Sequence, residues 1–212
     1  MTTLLHVSAS PRGAHSDSLR IANEVLAAHQ ANHRETVVDT FDLFDGSLPV
    51  FGHNAAEAKL AHLHGQPLSD EQTYEWARAH EVFRRFADAD LYLFNIPMWN
   101  NGIPYVLKQW IDVISQPGWT FGIDDNGYTG LLTGKRAIVV YTSGTFSQTR
   151  GAAFGNDFQS TYFRDWLNLI GVTDIAEIRL QPTIFSPTYE RDNREAEELA
   201  RDLGASFGPI GS

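Results

Sequence analysis

The chain has 212 residues, none of them cysteine, and 26 acidic against 16 basic side chains leave it a net charge of −10. That length accommodates one ordinary domain with a full core, and the missing cysteines exclude disulfide scaffolds, thiolate metal sites and cysteine nucleophiles, which suits a reducing compartment. The acidic balance argues against nucleic acid or an anionic membrane as partner, because phosphate backbones are bound through clustered Lys and Arg.

In chain order, the first apolar run, residues 4–7 (LLHV), predicts a strand in which His6 is a core histidine. Where the run stops, residues 8–19 read SASPRGAHSDSL, and a helix follows with Ile21, Val25 and Leu26 at helical spacing. Ser10, Ser16 and Ser18 supply hydroxyls and Gly13 lets the backbone bend. The helix start adds unpaired N–H groups and a positive dipole end, so the stretch reads as a phosphate cradle. The same residues also suit plain helix capping by Ser16, Asp17 and Ser18. A carboxylate facing a phosphate is repulsive, so a cradle requires Asp17 to offer its backbone N–H and turn its side chain away.

A second strand is predicted at residues 36–41 (TVVDTF), and residues 43–67, with Pro49, Gly52 and three histidines, form an insertion expected over the surface. A helix over 71–87 opens with the capping box from Ser69 to Gln72. The third strand, residues 91–96 (LYLFNI), is apolar almost throughout, as a strand covered on both faces should be. After it, PMWNNGIP (residues 97–104) leads into a helix over 104–115 whose stripe is Ile103, Leu107, Trp110, Ile111 and Ile114. Met98 and Trp99 offer a flat apolar wall, and Asn100 and Asn101 offer donors and acceptors, the combination a planar heteroaromatic ring requires. The alternative is that the first pair packs into the core and the asparagines form a turn.

The fourth strand, residues 137–142 (AIVVYT), is followed by SGTFSQTRGAAFG (143–155), whose small residues let backbone approach a ligand and would equally serve a flexible surface loop. A helix over 157–170, an alternating edge strand at 175–181 (IAEIRLQ) and a helix over 189–207 complete the chain. Strands alternating with single helices require right-handed crossovers, hence an α/β fold with a parallel sheet covered by helices on both faces. Five strands fit the doubly wound order 2-1-3-4-5 in a single domain, residues 1–212. Ligands in such sheets sit outside the carboxyl ends of the strands where the order reverses, which points to the loops after strands one, three and four. No apolar stretch reaches bilayer length and the N-terminus lacks a secretion signal, so a cytoplasmic chain is expected.

Other patterns carry less. GASFG (residues 204–208) matches a nucleophile elbow, but too little chain follows for the acid and histidine of that fold. His53, His62 and His64 lack a helical ligand spacing, so no metal is expected. Neither a P-loop nor G-x-G-x-x-G occurs, which argues against tightly held ATP or a Rossmann-bound dinucleotide.

Three stretches, SASPRGAHSDS, PMWNNGIPYVLKQWIDVISQPGWTFGIDDNGYTGLLTGKRA and YTSGTF, together resemble the FMN-dependent NADH:quinone oxidoreductases, or azoreductases, of the flavodoxin-like class. The likeness runs over nearly the whole chain. Its most specific part is the block of PM, an aromatic and N, the LK and D of the next helix, G-x-T-F, and the NG and L-x-T-G-K signature. The resemblance implies a flavodoxin-like domain that binds FMN and takes hydride from NADH or NADPH. Ser10, Ser16, Asp17 and Ser18 would surround the FMN phosphate, Met98, Trp99, Asn100 and Asn101 would border the isoalloxazine, and Ser143, Gly144, Thr145 and Phe146 would close its other side. It also implies a homodimer with the substrate pocket across the interface, Phe121 as its aromatic wall, and Trp166 either as a lid on the partner's site or as a core residue of its own helix. The chain departs from the family pattern at Asp17 (commonly polar and uncharged), Trp99 (tyrosine), Asn101 (phenylalanine) and Thr145 with Phe146 (a glycine pair).

On this reading the substrates are quinones, azo compounds or related flat electron-poor molecules, reduced in a ping-pong sequence through flavin N5, with no side chain acting as acid or base. A flavodoxin-type electron carrier, or a flavoenzyme of specialised metabolism on the same scaffold, is the alternative. A carrier exposes its flavin edge to large partners, whereas GWTFGIDDNGYTG and the 43–67 insertion suit enclosing a small substrate.

Overall fold

From the N-terminus the chain forms β1 (Thr3–Ser8), α1 (Asp17–Asn32), β2 (Val37–Asp42), α2 (His53–Leu63), α3 (Asp70–Ala87) and β3 (Leu91–Pro97). It continues through α4 (Tyr105–Ile114), β4 (Phe121–Asp124), β5 (Gly127–Gly130), β6 (Arg136–Thr142), α5 (Ser160–Leu169), β7 (Asp174–Leu180) and α6 (Tyr189–Ser206). The computed structural model describes residues 1–210, so the last two positions of the expected domain lie outside the described residues.

The unbroken apolar runs become the middle of the sheet: β3 is buried from Leu91 through Ile96, and β6 from Ala137 through Thr142. Successive side chains of a strand point to opposite faces, so each central strand feeds two cores. Leu4, Leu93 and Ile138 share one buried cluster with Ile21 and Val25 of α1 and Ala196 and Ala200 of α6. Leu5, Phe94 and Val139 share the other with Phe86 of α3, Trp110 of α4 and Phe163 of α5. Two helices therefore cover one face and three the other.

All five sheet strands are parallel, in the order β2-β1-β3-β6-β7. The expected order 2-1-3-4-5 is not matched in detail, because β4 and β5 intervene as a separate antiparallel hairpin. Each hairpin strand has only 4 residues, in a stretch rich in glycine and acids, so no apolar alternation marks it. The segment expected as a surface insertion contains a helix: residues 53–63 fold as α2, which buries only Ala55, Ala58 and Ala61. Alanines give a weak apolar stripe, and it is the contact with α3, including His62 on Trp76 at 4.9 Å, that gives the helix a packed face.

The hairpin is held at both ends of the same core. Trp119 stacks on Phe83 with ring centroids 5.1 Å apart. Gly130 runs against the turn after α5 so closely that a Cβ there would lie 2.2 Å from the Gly171 nitrogen. Gly130→Ala should therefore force the hairpin off that turn at a cost of about 1–3 kcal/mol, read as a lower urea midpoint. An unchanged midpoint would mean that the hairpin is not held there.

Candidate binding cleft

The carboxyl ends of the middle strands stand level, with Ser8 opposite Asn95 and Pro97 opposite Thr142. Three loops diverge from those ends, and between them run two adjoining clefts of about 240 and 260 Å³ that share Met98, Ser143 and Gly144. A larger hollow of about 440 Å³ borders α4, but none of its lining residues belongs to these loops. The position rule for parallel sheets, rather than size, selects the pair of smaller clefts.

At one end lies the start of α1. Ser16 caps the helix, its Oγ accepting the Leu19 N–H at 3.2 Å. The backbone N–H groups of Asp17 and Ser18 have no protein partner among the described residues and stand at the positive end of the helix dipole. Asp17 turns its carboxylate away, onto Arg20 Nη2 at 3.3 Å and the Tyr189 hydroxyl at 3.2 Å. Ser10, Ser16 and Asp17 line the cleft, whereas Ser18 is fully buried behind them. Beneath Ser18, Asn95 donates from Nδ2 to Ser18 Oγ at 3.3 Å, and Asn95 Oδ1 is 2.8 Å from His6 Nε2. Burial holds His6 below its ordinary value of 6.5, outweighing the opposing effects of the Asn95 hydrogen bond and the charge of Asp42.

At the other end, Asn100 and Asn101 form the turn that the sequence left open. Trp99 and Gly102 exchange backbone hydrogen bonds of 2.9 and 3.0 Å across it, and the two asparagines take φ of +50° and +67°, a primed turn that asparagine tolerates. The turn does not pull Trp99 into the core; its side chain remains 45% exposed. The Asn101 carboxamide lies against Gly155, where a Cβ would come within 2.3 Å of its Oδ1. Gly155 has φ +101°, a conformation that favours glycine, and a side chain there would have to displace the Asn101 carboxamide.

The loop after β6 closes the far side. Ser143 donates its hydroxyl to the Phe146 carbonyl, and Phe146 is buried while Thr145 is exposed. The N–H groups of Gly144, Thr145 and Phe146 have no protein partner among the described residues. Together the groove offers one cluster of donors suited to a single phosphate and, one loop away, an exposed indole beside two amides, a donor set that fits a phosphate ester carrying a flat heteroaromatic ring.

Several lining residues escaped the sequence reading. Arg12, the cation among the lining residues, stood inside the quoted stretch but carries no motif of its own. Thr183 and Ile184 follow the edge strand and reach the cleft only because Thr183 N–H bonds to Ser143 O at 2.9 Å and Ile184 N–H to Gly144 O at 2.8 Å. Two expected residues lie elsewhere. Trp166 is a core residue, not a lid: it is buried among Phe86, Trp110 and Phe163, and its Nε1 donates to Ser115 Oγ at 2.9 Å. A side chain fixed in this way is not available to a neighbouring site. Phe121 stands on the hairpin, edge-on to Tyr128 at 5.4 Å, and does not line either cleft.

Residues 2–203 match a family model described as flavodoxin-like fold. An FMN-dependent NADH:quinone oxidoreductase of Ruegeria pomeroyi is 42% identical over 187 residues, which is 88% of this chain and 92% of the relative. Among solved structures, an azoreductase from Bacillus anthracis superposes with a TM-score of 0.90 at 25% identity, covering 98% of this chain and all of that one. An FMN-dependent NADH-azoreductase from Bacillus anthracis, in complex with FMN, superposes at 0.85 and 25% identity, covering 96% of this chain and 100% of that one.

The buried His6 makes stability depend on pH. Between its lowered folded value and 6.5 the unfolded chain binds the extra proton, so the contribution is complete above 6.5 and is lost as pH falls through the folded value. Urea titrations at successively lower pH should show the protein losing stability more steeply than a His6→Gln variant. Parallel curves for the two would contradict a neutral buried imidazole.

Proposed function

The chain belongs to the flavodoxin-like family of FMN-dependent NADH:quinone oxidoreductases, and from that premise we propose that it binds FMN in the cleft at the carboxyl end of its sheet and uses NADH or NADPH to reduce quinones, azo compounds or similar flat electron-poor molecules. The observation that carries the reading is the continuous groove with a phosphate-type donor cluster at the start of α1 and an exposed Trp99 beside Asn100 and Asn101 at its other end. When bound there, FMN supplies the redox chemistry, accepting a hydride at N5 and passing it on.

The protein's own residues bind and orient. The free N–H groups of Asp17 and Ser18, the Ser10 and Ser16 hydroxyls and Arg12 hold the phosphate, with Asp17 kept from repelling it by Arg20 and Tyr189. Met98 and Trp99 give the ring an apolar wall, and the unpaired N–H groups of Gly144, Thr145 and Phe146 face its polar atoms from the other side. Gly144 keeps this loop thin, since a Cβ there would meet Ile184 Cδ1 at 3.2 Å. The donors gathered at the start of α1 suit the single phosphate of a mononucleotide rather than the diphosphate of FAD. The reading includes a homodimer, supported by the apolar side chains Val50, Tyr105 and Phe158 left exposed, with Phe121 contributed to the partner's substrate pocket, and a cytoplasmic location, where NADH is at hand.

Mass spectrometry of the released chromophore should give FMN, and the loaded protein should oxidise NADH in the presence of a soluble quinone. Release of FAD, or a protein that takes up no flavin, would end the reading. Two flat reactants that must each stack within about 3–3.5 Å of the same reacting atom cannot be bound together. Double-reciprocal plots should consequently be parallel, and intersecting lines would show a ternary complex. Light scattering is expected to give the mass of two chains, and full activity in a species of one-chain mass would remove the shared pocket.

A further inference from the structure

A buried row of polar side chains runs from the middle of the sheet to the cleft, and its hydrogen bonds have a direction. Asn95 places Oδ1 at 2.8 Å from His6 Nε2 and donates from Nδ2 to Ser18 Oγ at 3.3 Å. Ser18 Oγ is 3.1 Å from Ser16 Oγ, which also accepts the Leu19 N–H at 3.2 Å. All four residues are at most 3% exposed, and only Ser16 lines the cleft.

A carboxamide oxygen cannot donate, so His6 must carry its hydrogen on Nε2. The tautomer is consistent with the far side of the ring: His6 Nδ1 has no partner, and leaving a lone pair unpaired there is tolerated better than burying an orphaned N–H. Asn95 then fills an acceptor position on Ser18, which frees the Ser18 hydrogen for Ser16. With both acceptor positions of Ser16 Oγ filled, by Ser18 O–H and Leu19 N–H, its own hydrogen has only the cleft to point into. Reversing the amide would reverse every bond, and Ser16 would direct its hydrogen inward and a lone pair at the ligand.

We propose that His6 and Asn95 are positioning residues that fix the direction of this row, so that Ser16 presents a hydrogen, not a lone pair, to the phosphate of the bound flavin mononucleotide. The inference rests on the FMN reading above and extends it to two residues that do not line the cleft. A hydroxyl locked as donor favours an anion and gives nothing to a ligand lacking the phosphate.

The test compares the affinities of the apoprotein for FMN and for riboflavin, which differ only in that phosphate, by flavin fluorescence titration. Asn95→Leu removes the donor to Ser18, and His6→Leu removes the donor to Asn95, so each should weaken FMN about 10- to 100-fold, the range for a lost hydrogen bond to a charged group, with riboflavin unchanged. His6→Gln, which keeps an N–H at that end, should restore FMN affinity. In a Ser16→Ala background the Asn95→Leu loss should vanish, because the row then has no hydroxyl to aim. Equal losses for FMN and riboflavin, or a loss that persists without the Ser16 hydroxyl, would reduce His6 and Asn95 to core packing. A parent protein that binds riboflavin and FMN equally overturns the row's role while sparing flavin binding, and one that binds neither overturns both.

Discussion

The cleft exists because β1, β3 and β6 stop at one level. Their parallel ladders set Ser8 beside Asn95 and Pro97 beside Thr142, and a slip of one residue would exchange the two buried clusters on opposite faces of the sheet. Gln159, just before α5, secures that edge: its fully buried amide donates to Ile96 O at 2.8 Å and accepts from Gln181 Nε2 at 3.0 Å. Through this one side chain the end of β3, the start of α5 and the segment after β7 share a reference point.

On the proposed reading, an acidic chain would hold an anion without local positive excess. The net charge is −10, yet the groove near α1 is built from backbone N–H groups, hydroxyls and Arg12. Dipoles held in place at a helix start attract a phosphate without net charge, because they are already oriented and shielded from water. The acid nearest the site is taken out of play: Asp17 faces Arg20, which also bonds to Glu197 and Asn193 of α6. Packing of α6 on α1 therefore bears on the electrostatics of the cleft, and that packing is close, since a Cβ at Gly204 would lie 2.4 Å from Val25 O.

Most of the departures from the family pattern lie at the asparagine-turn end of the groove. The Asn101 carboxamide lies against Gly155, and the Asn101 backbone carbonyl accepts the Phe158 N–H at 3.0 Å, which folds the loop before α5 onto the asparagine turn. Phe146, where the family commonly has glycine, turns inward and is buried, while Trp99 keeps its exposure. Phe146 still lines the second cleft, beside Asn100 and Asn101.

Local pattern alone determined the alternation of strand and helix, the two-faced burial of the central strands, the capped start of α1 and the three loops at the carboxyl edge, because periodicity, capping and turn chemistry act between residues a few positions apart. It could not reveal α2 or the β4–β5 hairpin, whose short or alanine-based faces become apolar only against a partner. Trp166 illustrates the limit: an aromatic on an amphipathic helix has the same spacing whether it caps a pocket or fills a core, and only the rings of Phe86, Trp110 and Phe163 decide. Tertiary structure alone brought Thr183 and Ile184 beside Ser143 and Gly144. It alone joined His6 to Asn95 across 89 positions and Asn95 to Ser18 across 77, since hydrogen bonds between strands and helices that distant follow from sheet order and register, which no local run of residues encodes.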